Sequence, residues 1–477
     1  MFSSRVFITS ILICSGGSLH FGIQLTILNP SENVFRQFIN NTHFKHFGSF
    51  LSENQYRVLW SFVLNVQIAG TIFGTLPVVK LSETFGRRKA FFVSCGFILF
   101  GLLFQITSEM SSSYEIFFTG RFITGIGCGL ALPLECMYLN EISPIKWRGF
   151  FCSMTGVFVE LGFIVGGVLS LPAVLGTDHL WHWMFAAESV PVLILMIALP
   201  FLHESPRFLL SRAKIQSCER SLKFFDHKNI EADKREIEME LDHHDKVVSW
   251  REIWQKIHLR RAMLLSTLVI LTATFSGIIV IDYFSTSILM DAGLSRSKAQ
   301  YASVGVFAQT LISAIFGGMM VEKLGRRCLL IATTTCLILM NTALMVFSLI
   351  YENHFRIAWA GYASIAACVA LTFSFGFGPS ILQWIITSEL VPQNARAKVQ
   401  LIVMLIQKTA GIAVGLAFYP LQGVIGPFAF LLFIIPLSLF LVIFIFKFPE
   451  TKRRSVTQIA ELLGRKKDTG AREVRKF

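Results

Sequence analysis

Charged side chains are scarce in this sequence. Only 15% of its 477 residues are Asp, Glu, Lys or Arg, whereas 53% are hydrophobic. Soluble globular domains carry about 25% charged residues, so the composition excludes an ordinary soluble protein. The charges that are present favour Lys and Arg and give a formal net charge of +13. Because these basic residues lie between long apolar runs, we expect them to face an anionic lipid leaflet and expect no nucleic-acid partner.

Patterns for disulfide bonds, metal sites and catalysis are also missing. Eight of the nine cysteines lie inside apolar runs and the ninth, Cys218, lies in a polar stretch, which fits neither a disulfide framework nor a metal site. The Asp/His cluster at 242–245 has no second set of ligands. We find no nucleophile–base pair, phosphate-binding glycine loop or ATPase motif. The sequence therefore predicts no metal, no cofactor and no enzymatic activity.

What the sequence does contain is twelve apolar runs long enough to cross a bilayer, which takes about 20 residues. The first run follows Arg5 and lacks a convincing cleavage site, so we expect a retained span rather than a signal peptide. The predicted organisation is an N-terminal six-helix bundle (1–202), a cytoplasmic helical segment (203–261), a C-terminal six-helix bundle (262–447) and a cytoplasmic tail (448–477). The predicted spans are 6–28, 58–79, 90–107, 115–139, 149–175, 183–202, 262–284, 299–321, 328–350, 358–387, 397–420 and 425–447.

The distribution of basic residues predicts the orientation. If both termini are cytoplasmic, only six of the 43 Lys and Arg residues lie in outer loops. The segment 29–57 is then extracellular, and it carries a glycosylation sequon at Asn40. We expect a multi-pass protein of the plasma membrane with the lipid bilayer as a partner. The sequence leaves open whether an internal membrane is the location, and it leaves the oligomeric state unknown.

The two halves of the chain repeat the same charged motifs in the same order. "ETFGRR" (83–88) corresponds to "EKLGRR" (322–327), "EISPIKWR" (141–148) to "ELVPQNAR" (389–396), and "HESPR" (203–207) to "PETK" (449–452). Acids and arginines in these motifs are expected to form ion pairs between helices at the cytoplasmic mouth and to act as a gate. The predicted gate residues are Glu83, Arg87, Arg88, Glu141, Arg148, Glu204, Arg207, Glu322, Arg326, Arg327, Glu389 and Arg396.

Further motifs follow in chain order, namely "GSLHFG" (17–22), "GRFITGIGCG" (120–129), "YLNEISPIKWRG" (138–149), "ESPRFLL" (204–210), "YFSTSI" (283–288) and "FPETK" (448–452). Together with the repeats, they make the chain similar over its whole length to the sugar porter family of the major facilitator superfamily (MFS), and it resembles the animal facilitative glucose transporters. The resemblance implies an all-α MFS fold of two pseudo-symmetric six-helix bundles, and alternating access around a midplane cavity.

The resemblance also places the solute between the bundles, where this sequence departs from glucose transporters. "ATFSGII" (273–279) stands where the family typically has Gln-Gln-Leu-Ser-Gly-Ile-Asn, so amides that bind sugar hydroxyls are lost. Span 10 keeps its tryptophan but loses two prolines, which we expect to stiffen it. The position that is acidic in proton-coupled sugar symporters is occupied by glutamine, which does not favour that coupling. The implied solute-binding residues are Gln24, Glu160, Thr274, Thr310, Trp384, Gln407 and Lys408, and the implied outer gate is Asp282 and Tyr283.

Three of these positions are ionisable where glucose transporters carry neutral residues: Glu160, Asp282 and Lys408. An ionisable residue at mid-helix costs about 2.5–3.5 kcal/mol or more, so each is a candidate for function. Lys408 could pair with either acid across the bundles, or these charges could contact a charged solute. We expect Arg121 and Glu135 to be polar packing groups inside the N-terminal bundle, and expect the same of His20.

The function predicted on these grounds is facilitative transport of a hexose or a related small polar solute by alternating access. The charges at Glu160 and Lys408 favour a second hypothesis, transport of a charged or zwitterionic solute. The lost amides and prolines motivate a third, a sensor or partner-binding protein that keeps the fold without transporting. The third predicts a long signalling tail, whereas only about 30 residues follow the last predicted span. Transport is therefore favoured.

Overall fold

The computed structural model describes residues 4–144, 147–226, 248–353, 358–452 and 456–464, with a few further positions between 230 and 238 and residue 454. Within these ranges, eleven helical stretches are long and apolar enough to cross a membrane. The last, Lys398–Lys447, has 50 residues, which is room for two crossings of about 20 residues each. A 3₁₀ turn at Gly426–Phe430 divides it. The predicted twelve-span, all-α fold is confirmed.

Most spans are single helices, while spans 1, 7 and 10 are each divided into two. Span 1 consists of Ser4–Gly16 and Ser18–Thr26, span 7 of Ile257–Thr274 and Ile278–Asp291, and span 10 of Ala358–Phe377 and Pro379–Leu390. The other spans are Glu53–Thr75 (2), Arg87–Met110 (3), Tyr114–Ile142 (4), Arg148–Leu169 (5), Trp181–Ala198 (6), Arg296–Leu324 (8), Arg326–Asn353 (9), Gln393–Ile425 (11) and Leu431–Lys447 (12).

Shorter helices connect the spans. Val78–Phe85 lies between spans 2 and 3, and Val456–Gly464 follows span 12. Short helices were expected in the segment 203–261, and the structure has Pro206–Ser211, Ile215–Phe224 and Trp250–Gln255 there. The domain boundaries themselves stay a prediction. The cluster at 242–245 and the end of the tail at 465–477 lie outside the described residues.

The predicted extracellular loop contains a helix that the sequence analysis missed, Glu32–Phe47. Its residue Phe35 is buried and packs against the N-terminal bundle. The ring centroid of Phe35 lies 5.0 Å from that of Trp181 and 5.3 Å from that of Phe117. This helix carries the sequon: Asn40 is half-buried and the side chain of Thr42 is buried. Glycosylation of Asn40 stays a prediction.

Two of the helix breaks occur where the backbone requires glycine or proline. Gly277 in span 7 has φ +94°, which side-chain-bearing residues rarely adopt, and Asn341 of span 9 donates to the carbonyl of Ser276 at 2.9 Å. In span 10 the chain bends at Gly378, and Pro379 begins the next helix. The break therefore lies at the retained Pro379, whereas the helix is continuous through 381 and 383, where the two prolines are lost. The expectation that their loss stiffens span 10 stays a prediction.

The two bundles face each other along several helix pairs. Span 2 packs on span 11, span 5 on span 8, and the second half of span 1 on the second half of span 7. Span 1 also crosses span 5 closely at Gly22, where an added Cβ would lie 2.1 Å from the carbonyl oxygen of Val159. These packings, together with a hydrogen bond from Ser380 of span 10 to Glu160 of span 5, bring residues of spans 1, 5, 7, 10 and 11 to the surface between the bundles, where the solute site was predicted.

Candidate functional site

The first charged cluster lies at the predicted cytoplasmic end of the N-terminal bundle. Arg87 Nη2 lies 2.7 Å from Glu141 Oε1, and both side chains are buried. Glu204 Oε1 accepts hydrogen bonds from the backbone N–H groups of Arg87 (2.9 Å) and Ser205 (3.0 Å) at the start of span 3 and the end of span 6. A carboxylate at a helix N-terminus is favoured by the helix dipole. Burial nevertheless raises the pKa of Glu204 above its usual value.

The C-terminal bundle repeats this arrangement. Arg326 Nη2 lies 2.9 Å from Glu389 Oε1, and Glu450 accepts from the backbone N–H groups of Arg326 (3.0 Å) and Arg327 (3.1 Å). Glu450 was missed among the gate residues, although its motif "PETK" had been matched to the motif that contains Glu204. The repeat in the sequence is therefore a repeat of contacts.

The remaining predicted gate residues surround these clusters. Arg88 donates to the carbonyl of Pro200 at 3.2 Å, and Arg207 is half-buried. The carboxylate of Glu83 is exposed. Arg396 is half-buried. The side chains of Arg148 and Glu322 lie outside the described part of the chain. Each ion pair shown here joins helices of one bundle, so a role in holding the two bundles together stays a prediction.

The opposite end of the molecule, which carries the segment 29–57, is closed across the bundles. Asn29 follows span 1, and its Nδ2 donates to the backbone carbonyl of Asp282 (2.9 Å) and to Ser285 Oγ (2.8 Å) in span 7. The N–H of Thr286 donates to Asn29 Oδ1 (3.1 Å), and Ser287 Oγ donates to Glu32 (2.6 Å). The sequence analysis named span 7 as an outer gate but missed Asn29, which only its position at the end of span 1 could have suggested.

Two carboxyl groups lie between the bundles without a cation. Ser380 Oγ donates to Glu160 Oε1 at 3.3 Å, while Glu160 Oε2 is buried and has no hydrogen-bond partner among the described residues. The buried side chain of Asp282 likewise forms no hydrogen bond or ion pair with any described residue. Lys408 Nζ lies 4.6 Å from the ring centroid of Phe21. The structure therefore does not pair Lys408 with either acid, because a cation–π contact holds its ammonium group.

The neutral residues of the predicted site have different surroundings. Gln407 donates to Gln383 at 2.9 Å, which joins spans 11 and 10. Trp384 is 39% exposed. The hydroxyls of Thr274 and Thr310 are buried and donate to carbonyls of their own helices, so they are less available to a solute.

Gln24 lies inside a buried network of the N-terminal bundle. Arg121 Nη1 donates to Gln24 Oε1 at 3.1 Å, and Gln24 Nε2 donates to Glu188 Oε2 at 2.7 Å. His20 Nδ1 lies 2.6 Å from the other oxygen of Glu188. Glu188 was missed, although an acid inside the predicted span 183–202 was visible in the sequence. As expected for polar packing, Arg121 and His20 are wholly buried here.

Glu135 has a separate structural contact. Its carboxylate accepts from the backbone N–H and the hydroxyl of Ser18, both at 2.9 Å, at the break in span 1. The N–H of Ser18 therefore has an acceptor outside its own helix, which accounts for the division of span 1 at this point.

Comparison with known proteins extends over nearly the whole chain. The sequence pattern of the family described as "Sugar (and other) transporter" matches residues 10–463. Facilitated glucose transporter member 9 of solute carrier family 2 from Mus musculus is 28% identical over 464 residues, covering 96% of this chain and 86% of the relative. Member 1 from Gallus gallus is 29% identical over 452 residues, covering 93% and 90%. The xylose transporter XylE from E. coli, in a partially occluded inward-open conformation, has a similar structure with a TM-score of 0.78 at 22% identity, covering 95% of this chain and 100% of that one.

Proposed function

Because the chain belongs to the sugar (and other) transporter family, we propose that it moves a hexose or a related small polar solute across a membrane by alternating access. It is a multi-pass membrane transporter and not an enzyme. The observation that carries the proposal is the pairing of two similarly braced bundles with a closure across the interface at the end that carries the segment 29–57, formed by Asn29 and span 7. Two rigid halves that close at one end are what alternating access requires.

The solute site in this proposal lies between the bundles. Glu160, Trp384, Gln407 and Lys408 are proposed to contact the solute, since their polar or aromatic groups lie on facing spans. Gln24, Thr274 and Thr310 remain proposed solute residues, although their polar groups are engaged within their own bundle or helix. Asp282 and Tyr283 are proposed to form the outer gate with Asn29.

A second candidate is transport of a charged or zwitterionic solute. The observation that favours it is that neither Glu160 nor Asp282 has a cationic partner among the residues described here. We further propose that the protein resides in the plasma membrane with both termini in the cytoplasm, which the basic residues support.

The test is uptake by the purified chain in liposomes, measured with labelled D-glucose, D-fructose, dehydroascorbate and organic ions. We expect saturable uptake of at least one solute, absent from protein-free liposomes. Trp384→Ala should lower that uptake, whereas Gly96→Ala, at a position where an added Cβ meets no other atom within 4 Å, should leave it unchanged. Saturable uptake of charged solutes alone would favour the second candidate, and an absence of any saturable uptake would contradict the proposed function.

A further inference from the structure

The interiors of the spans hold more acids than permanent cations. The buried or half-buried ionisable residues there are the acids Glu135, Glu160, Glu188 and Asp282 and the cations Arg121 and Lys408. Taking a charge out of water into a protein interior is costly unless it is paired or hydrogen-bonded. The interior therefore requires positive charge from elsewhere, or neutralisation of some acids.

Two of the four acids are already stabilised in place. Glu188 accepts from Gln24, which also binds Arg121, and it lies against His20. Glu135 accepts two hydrogen bonds from Ser18. The unmatched acids are thus Glu160 and Asp282, which are 6% and 7% exposed and belong to opposite bundles.

A further polar group of span 7 is also unpartnered. The hydroxyl of Tyr283, next to Asp282 in the chain, is buried and has no hydrogen-bond partner within the described ranges. The two acids lie on spans 5 and 7, which both pack against the second half of span 1 and against span 8. Unpartnered polar groups on the facing spans 5 and 7 favour the binding of a polar group between them, because buried polar groups in folded proteins are hydrogen-bonded as a rule.

A bound proton fits these groups less well than an ammonium group does. A proton on Glu160 Oε2 would neutralise one acid but would bring only one donor to the unpartnered oxygens of Glu160 and Tyr283. An ammonium group carries one positive charge and three donors, and carboxylates and a phenol oxygen can accept from it. Lys408 cannot supply this group in the observed arrangement, since its Nζ lies against Phe21.

We infer that the solute is a small hydroxylated molecule with a positively charged amine, and that this amine binds between Glu160 and Asp282. The inference rests on the proposed transport function. Neutral parts of the solute would meet the amide pair Gln407–Gln383 and the exposed indole of Trp384.

The experiment compares labelled D-glucosamine, N-acetyl-D-glucosamine and D-glucose in liposomes containing the full chain, at a pH below the pKa of the amine. We expect D-glucosamine to be taken up best, because acetylation removes the charge at nearly constant shape. Glu160→Gln and Asp282→Asn should each lower D-glucosamine uptake about thirtyfold or more, since each leaves the amine with one charged partner fewer. Glu135→Gln is the matched control, because it removes a buried acid that is bound to Ser18, and it should retain the preference for the amine.

The outcomes separate the inference from the proposed function. Equal uptake of D-glucosamine and D-glucose would overturn the inference and leave transport standing. Uptake of D-glucose that requires an inward proton gradient and is lost in Glu160→Gln would also overturn it, since a proton would then occupy the site. If D-glucuronate, tested in the same liposomes, were taken up in preference to D-glucosamine, the inference would also be overturned, and Lys408 would be the residue that selects the charge of the solute. Only the absence of uptake of every solute would contradict both proposals.

Discussion

At the scale of single residues, burial of charge separates structural from functional positions. Arg87 and Glu141 are both about 7% exposed and form an ion pair inside one bundle. Glu160 and Asp282 are equally buried but lack such a partner in the part of the chain that the structure describes. A buried charge with a partner stabilises the fold, whereas one without a partner must be neutralised or matched by a bound group.

The Arg87–Glu141 pair gives a prediction at this scale. Glu141→Ala leaves the guanidinium of Arg87 buried without its acid, so we expect a loss of about 3–5 kcal/mol in stability. The counterpart Glu389→Ala should cost less, because the carboxylate of Glu389 is 22% exposed and water can solvate Arg326 more readily. The measurement is thermal unfolding of the purified protein in detergent.

The control for this pair is Arg87→Gln combined with Glu141→Gln, which removes both charges at once. It should unfold at a higher temperature than Glu141→Ala, because no uncompensated charge remains. If the double variant were as unstable as Glu141→Ala, the loss would come from packing rather than from the ion pair.

At the scale of elements, the broken spans carry the conformational detail. Gly277→Ala should destabilise span 7 by about 1–2 kcal/mol, since φ +94° is unfavourable for a residue with a Cβ. We expect a lower unfolding temperature and slower uptake of the transported solute. Gly96→Ala within span 3 is the matched control and should not lower the unfolding temperature, because alanine has the higher helix propensity. Equal unfolding temperatures for both variants would show that span 7 does not depend on this glycine.

The elements also show how far the sequence could be interpreted. The spans were predictable because about 20 consecutive apolar residues leave few alternatives. The helix Glu32–Phe47 was missed because its stability comes from Phe35 packing on Trp181 and Phe117, which are far apart in the chain. The break in span 1 was not predictable either, because the acid that accepts from Ser18 lies more than a hundred residues away in span 4.

The candidate site was predictable only in part, for the same reason. Sequence motifs placed these residues among the predicted gate residues, but only the structure shows that Arg87 pairs with Glu141 and Arg326 with Glu389. The partner of Lys408 was not predictable. Its ammonium group contacts the ring of Phe21 in the opposite bundle, and the distance between these residues in the sequence gives no sign of that contact.

At the scale of the whole molecule, the internal repeat gives both halves the same internal ion pairs. The transport cycle then depends on the contacts between the halves. Within each bundle a buried or partly buried ion pair and a carboxylate at a helix N-terminus recur. Across the bundles, the side chain of Asn29 forms hydrogen bonds with Asp282, Ser285 and Thr286, and Ser287 donates to Glu32. Breaking this contact should therefore shift the balance between closed and open states without unfolding either half.

This argument predicts the behaviour of Asn29→Ala. In the variant Asp282→Cys, the introduced thiol should react slowly with a membrane-impermeant thiol reagent while the outer end is closed, because position 282 is buried. Adding Asn29→Ala removes several hydrogen bonds of about 1 kcal/mol each, so the reaction should become at least about tenfold faster. The measurement is the labelling rate in nanodiscs, with the native cysteines alone as background. Asn41→Ala, in the same outer helix but exposed, is the control and should leave the rate unchanged. An equal rate with and without Asn29→Ala would mean that other contacts hold this end closed.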